Sequence, residues 1–192
     1  MNRLLTLSVL AALSVSAHAA PETFIIDNSH TYPHFTYSHF GFSKQTHKFD
    51  KTSGQVVLDR AAQTGSVDVT IDATSVNTGY ALFNQHIQAA DYFDTATYPT
   101  ITFKSSKMNF KDGQPVSLVG DLTIKGVTQP VTLEISQFKC MPHPMRKVET
   151  CGANASTQIK RSMFNMGKNA PHVGDEVTLT LAIEAYKAQT PQ

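Results

Sequence analysis

Strict period-two alternation in short segments is the feature that most constrains what this chain can fold into. Val67-Asp68-Val69-Thr70-Ile71-Asp72, Val131-Thr132-Leu133-Glu134-Ile135 and Val177-Thr178-Leu179-Thr180-Leu181-Ala182-Ile183-Glu184 place apolar residues at every second position. In an extended chain, neighbouring side chains point to opposite faces, so each segment has one apolar and one polar side. Phe24-Ile25-Ile26-Asp27, residues 33–40 with Phe35 and Tyr37 on one side, Gly54–Asp59, Thr100–Ser105, Ser117–Ile124 and Ala153–Lys160 extend the series. Together they make about eight strands separated by turn residues, the pattern of a β-sandwich or β-barrel.

The connections fit that pattern. Gln63-Thr64-Gly65 and Lys111-Asp112-Gly113-Gln114 read as turns, and Lys125-Gly126-Val127-Thr128-Gln129-Pro130 as a hairpin connection. Gly41–Lys48 reads as a turn or a short irregular helix. Residues 81–93 are the one stretch with helical spacing, at Leu82, Phe83, His86, Ile87 and Ala90, stopped by Tyr98-Pro99. Pro33, unable to donate to a ladder, argues for an edge or a bulge.

Residues 1–20 read as a secretory signal. Arg3 supplies the positive start, Leu4–Val15 the apolar stretch and Ala17-His18-Ala19 the small-x-small cleavage pattern. Cleavage after Ala19 leaves one domain, residues 20–192, exported to the periplasm, with surface exposure or secretion as the alternatives. The apolar stretch is too short to span a bilayer. Lys and Arg number 16 and Asp and Glu 15, and Arg3 is the one charge removed, so the mature chain is balanced. No basic tract points to nucleic acid. Cys140 and Cys151 flank the loop-like Met141–Thr150. An even count in an exported chain favours a disulfide across that loop, over a redox dithiol or a metal pair.

Little in the chain supports catalysis. There is no G-x-S-x-G elbow, and Asp91 and Asp94 read as helix-end charges. His30, His34 and His39 are close in sequence, but 30 and 34 share a strand face that 39 does not, so hydrogen bonding is favoured over metal ligation. Arg161 reads first as the partner of a carboxylate such as Asp27 or Asp94, and second as a donor to a ligand. An apolar barrel interior is either filled with side chains or holds a ligand, and alternation alone does not choose.

Six blocks, in order, resemble the YceI-like family of exported, lipocalin-like, polyisoprenoid-binding proteins. They are Ile26-Asp27-Asn28-Ser29-His30 with Phe35 and His39-Phe40-Gly41; Ile71–Gly79; Asp91-Tyr92-Phe93-Asp94; Tyr98–Ser105; Gly120–Leu133; and Ile159-Lys160-Arg161-Ser162-Met163-Phe164-Asn165-Met166. The resemblance runs from about Phe24 to Glu184. The chain departs from the family at Pro33, at Asn84-Gln85 before His86-Ile87, at Asn165 in place of a usual glycine, and in its cysteine loop.

The resemblance implies an all-β fold: an eight-stranded antiparallel lipocalin-like barrel with a helix packed over it. It implies a cavity for a long isoprenoid, an isoprenoid quinone (ubiquinone-type) before a polyprenyl phosphate. A fatty acid or fatty amide, or an enzyme activity on the same barrel, are the rival readings. No catalytic cofactor is expected. Transient contact with an inner-membrane b-type cytochrome fits a quinone role, and a homodimer is compatible with the family. The residues expected to line the ligand are Phe35, Tyr37, His39, Phe42, Phe49, Ile71, Phe93, Ile101, Phe103, Met163, Phe164 and Met166; His39 reads first as a hydrogen-bonding residue of the fold and second as a contact to the head group.

Overall fold

A computed structural model describes residues 20–189, so the segment read as an export signal lies outside the described residues. Strands β1 (Glu22–Ile26), β2 (His34–His39), β3 (Ser43–Phe49), β4 (Thr52–Asp59), β5 (Thr64–Asp72) and β6 (Val76–Asn77) come first. Helix α1 (Ala81–Ile87) follows. Strands β7 (Thr100–Lys111), β8 (Gln114–Ile124), β9 (Val127–Pro142), β10 (Glu149–Lys160) and β11 (Val173–Lys187) complete the order. All pairings are antiparallel, and β11 returns to β1, closing an eight-strand barrel, β1-β4-β5-β7-β8-β9-β10-β11.

The three remaining strands, β2, β3 and β6, are continuations. β1 and β2 lie end to end along β11, with Ile26 opposite Ala185 and His34 opposite Thr180. β3 and β4 form one interrupted stave and β5 and β6 another, because β3 pairs with both β2 and β6 while β4 pairs with both β1 and β5. The barrel therefore has eight staves, the first three of them broken. Pro33 sits in the first break, just before β2.

The breaks lie side by side and are sewn together. Thr52 N donates to Asn28 Oδ1 (2.6 Å), Lys51 N to Ser75 Oγ (3.0 Å), Asp50 N to Ser75 O (3.1 Å) and Phe49 N to Pro33 O (3.0 Å). Backbone groups released from the ladder thus find partners, as buried polar groups must.

Three local expectations are corrected. Ser43–Phe49 is a strand, not a turn or irregular helix: His47 and Phe49 are its buried alternate positions, and counting histidine as polar hid the period. The hairpin connection is only Lys125-Gly126, both at positive φ, and β9 resumes at Val127. The helix stops at Ile87 instead of 93. Gln88 holds that end by donating to Asn84 O (3.0 Å) and accepting from Thr95 Oγ1 (3.1 Å), and the chain then turns to carry Phe93 inward, 8% exposed.

The two barrel ends differ. At one, the Cys140–Cys151 disulfide ties directly opposed residues of β9 and β10. Arg60 bridges Glu149 and Glu22, both at 2.7 Å, and Arg146 reaches the mostly buried Asp27 at 2.7 Å while stacking 4.7 Å over the Tyr186 ring. At the other end lie the β2–β3 and β8–β9 turns, α1 with the turns after it, and the loop between β10 and β11.

Candidate ligand-binding cavity

The barrel is not filled because its inward residues are unequal in size. Strand β10 turns Cys151, Ala153 and Ala155 inward, and β11 turns Ala185 inward. Opposite them stand phenylalanines, leucines and valines. Side chains this small cannot reach the barrel axis, so a cavity of about 390 Å³ remains, within the range of ligand pockets.

Its deep part is apolar, with Phe24, Leu58, Val67, Met108, Leu118 and Phe138 on the wall. Towards the mouth the rings crowd together. Phe35 and Phe93 meet edge to face at 5.7 Å, Phe49 and Phe93 at 5.4 Å, and Phe83 and His47 at 5.5 Å. Helix α1 supplies Phe83, His86 and Ile87, and the turn beyond it Tyr92 and Phe93, so this segment roofs the barrel.

Polar groups gather at the mouth. Asn169 Nδ2 donates to Tyr92 Oη (3.2 Å), the His86 ring lies 4.9 Å from Tyr92, and the exposed His39 stands opposite Val173. The Tyr37 hydroxyl shares a hydrogen bond of 3.2 Å with His47 Nε2. Burial pushes the Tyr37 hydroxyl up in pKa, the nearby Arg161 charge opposing, and burial pushes His47 down.

Arg161 corrects an expectation. It does not pair with Asp27 or Asp94. Its guanidinium, 8% exposed and part of the cavity wall, donates to Gly174 O (2.8 Å), Lys168 O (2.9 Å), Val173 O (2.6 Å) and Met166 O. Asp27 is held instead by Ser29, His30 and Arg146. Burial alone would raise its carboxyl, but those hydrogen bonds and the Arg146 charge outweigh it and keep the pKa low. Four carbonyls satisfy four of the five N–H groups a guanidinium carries. They fan the β10–β11 loop around Arg161 and leave a buried cation hydrogen-bonded to neutral acceptors, not to a carboxylate. Asn165 sits in the left-handed region (φ 57°) at the end of the Arg161–Phe164 turn, which explains how asparagine serves where a glycine is usual.

The cavity brings together Phe35, Tyr37, His39 and Phe49 from β2 and β3. It also takes Ile71, Phe93, Ile101, Phe103 and Met166 from the rest of the chain. It does not take Phe42, Met163 or Phe164. Phe42 is 89% exposed just past the β2–β3 turn and Met163 is 52% exposed, both facing outward. Phe164 is buried in the packing beneath the loop, 1% exposed, without reaching the cavity. Sequence reasoning missed the small residues of β10, which shape the cavity by what they lack, and Asn169; Phe83, His86 and Tyr92 fall in the stretch 81–93 read as a helix over the barrel, but were not counted among the lining residues. Among the described residues no His, Cys, Asp and Glu cluster could hold a metal ion.

A closed antiparallel barrel with a deep apolar cavity and a polar mouth defines a lipocalin-like class of protein. A family model for the YceI-like domain matches residues 24–185, and the chain belongs to the YceI-like family. It is 33% identical over 184 residues to Protein YceI of Escherichia coli O17:K52:H18, covering 95% of each chain. It is 30% identical to Protein YceI of Salmonella arizonae, again with 95% of each covered. Among solved structures, BcnA of Burkholderia cenocepacia is 30% identical with a TM-score of 0.73, over 83% of this chain and 99% of that one. A domain of Saccharophagus degradans, described as polyisoprenoid binding and implicated in plant cell wall breakdown, shares the fold: TM-score 0.63 and 18% identity, over 88% of this chain and 100% of that one.

Proposed function

We propose that this protein is an exported carrier or store for a long-chain isoprenoid lipid, an isoprenoid quinone above all, acting in the periplasm. The observation that carries the reading is the cavity's two-part character: a largely apolar interior and a set of polar groups at the mouth. An isoprenoid tail gains about 0.8 kcal/mol for each carbon group removed from water, so a deep apolar sleeve holds it with few polar contacts. A quinone head has two carbonyl acceptors and no charge. The Tyr37 hydroxyl, the His39 ring and the Asn169 amide are of the right chemistry to meet it at the mouth. The Saccharophagus degradans domain supports an isoprenoid as the class of cargo. An inner-membrane b-type cytochrome would be a natural point of exchange for such a quinone.

A second reading rests on Arg161. A buried guanidinium hydrogen-bonded only to carbonyls, with Asp175 as a nearby carboxylate, would also favour an anionic head, so a fatty acid is the rival cargo. Native mass spectrometry of the protein from its own periplasm, followed by solvent extraction, separates them. A stoichiometric isoprenoid quinone establishes the first reading and a fatty acid the second. A protein that arrives empty and takes up neither lipid refutes both.

A further inference from the structure

We infer that the mouth end of the barrel is a docking face for a lipid bilayer, with the β2–β3 turn as its inserting tip. The inference rests on the lipid-cargo reading but on different residues. Among the described residues, Phe40, Phe42, Tyr80, Leu82, Tyr98 and Met163 are exposed large apolar side chains at the mouth end, and only Met141 and Met145 share that character at the other. Phe42 is 89% exposed, and Tyr80 and Leu82 are each 62% exposed. Scattered single apolar residues on a surface need no explanation, but a collar of them around one opening does.

The tip itself breaks a local rule. The turn between β2 and β3 is closed by Phe42 N donating to His39 O (3.0 Å), with Phe40 at φ 52° and Gly41 at φ 73°. A turn of this kind asks for Asn-Gly or Gly-Gly, and a bulky aromatic residue at positive φ is unusual. The chain places Phe40 there and steadies it by stacking on His172 (5.9 Å) and by donating Phe40 N to His172 O (2.7 Å). That stacking covers only part of the ring, and departures from local preference concentrate at functional or strained sites.

Phe40 also joins the outside to the inside. It is 53% exposed and yet part of the cavity wall, so apolar surface continues from the tip into the cavity. With the tip in the acyl region, an isoprenoid tail could pass from bilayer to cavity without crossing water. The charges in the turns and loops at this end roughly cancel: Lys44, Lys125, Lys160, Lys168 and the buried Arg161 stand against Asp91, Asp94, Asp175 and Glu176. The attraction is therefore mainly apolar insertion, the mode of interfacial anchors, and not the pull of anionic lipid on a basic face.

The test is co-sedimentation with vesicles of phosphatidylethanolamine and phosphatidylglycerol, for the wild-type protein, Phe42→Ser, Leu82→Ser and Met145→Ser. Met145 is 82% exposed at the far end and serves as the matched loss of apolar surface. Thermal stabilisation by geranylgeraniol added from solution reports the cavity separately. The expected result is about tenfold weaker vesicle binding for Phe42→Ser, weaker binding for Leu82→Ser, and no change for Met145→Ser. All four proteins should respond equally to geranylgeraniol. Vesicle binding by Phe42→Ser equal to wild type, or no binding by the wild type, overturns the inference. If the vesicle difference persists while no protein responds to any isoprenoid, the docking face stands and the cargo reading fails.

Discussion

Ala155→Phe is the sharpest test of the cavity. Ala155 is on β10, 5% exposed, and lies on the cavity wall beside Ala153. In a filled core, a phenylalanine there would overpack and cost about 1–3 kcal/mol. In a cavity of about 390 Å³ it has room, and its burial contributes about 1.5–3 kcal/mol. At about 2–4 °C per kcal/mol for a domain of this size, the lipid-free melting temperature should rise by about 3–12 °C. The same ring occupies the space a tail would use. Lipid at one hundred times its Kd should stabilise the wild type by about 2.7 kcal/mol. Most of that gain should vanish in the variant. Differential scanning calorimetry of delipidated protein, with and without an isoprenoid, reads both effects. A variant that melts lower than wild type when empty, yet still gains stability from lipid, would refute the cavity argument at this position.

Other expectations are more local. Replacing both cysteines by alanine frees a loop whose ends are 11 positions apart, worth about 2.8 kcal/mol in the chain-entropy model; calorimetry should show a fall of about 6–11 °C, and a change under about 2 °C would contradict it. Arg161→Lys keeps the charge but not the planar fan to four carbonyls. It should cost about 3 kcal/mol and speed amide exchange selectively around Val173 and Gly174. His47 is buried, and its pKa lies below the ordinary 6.5. Below about pH 6.5 the unfolded chain therefore binds a proton that the folded one does not, so stability should fall as pH drops through that window. His47→Gln should flatten that limb of urea midpoint against pH, and an unchanged limb would assign it to other groups.

Strand identity was legible wherever alternation ran unbroken, as in β5 and β11, because the barrel has one apolar and one polar face. The breaks were less so. Asp50-Lys51 and Ala73–Ser75 interrupt staves through hydrogen bonds between residues 24 apart in the chain, which no local pattern carries. Of the expected wall, the β2 and β7 residues Phe35, Tyr37, Ile101 and Phe103 follow from alternation once one face is known to be inward. Phe42 failed because the turn at Phe40-Gly41 changes the direction of the chain, and hydrophobicity says nothing about direction. Phe164 is apolar and buried but one layer from the cavity. The cavity itself depends on Ala153, Ala155 and Ala185 being small, a feature that composition does not flag.

The distribution of interactions separates holding the barrel together from opening it. The disulfide, the Arg60 bridges and the Arg146–Asp27 pair are all at the disulfide end, where they tie β1, β4, β9 and β10, while the roof segment after α1 is held by the exposed Lys168–Asp91 pair and by Lys125 donating to Ala90 O. At the mouth, the upper staves β2, β3 and β6 are set apart by the three sewn breaks. β6 pairs with β3 through only Val76 and Asn77. Helix α1, seven residues long, follows directly. Short pairing and a short roof are features of a region that opens at low free-energy cost. If these features govern entry, the roof opens while the apolar interior beneath it keeps its pairing. This arrangement predicts that amide exchange in α1 and β6 will be much faster than in β8–β10, and that an occupying lipid will slow it. Equal protection at both ends in the lipid-free protein would show that entry does not proceed by lifting this roof.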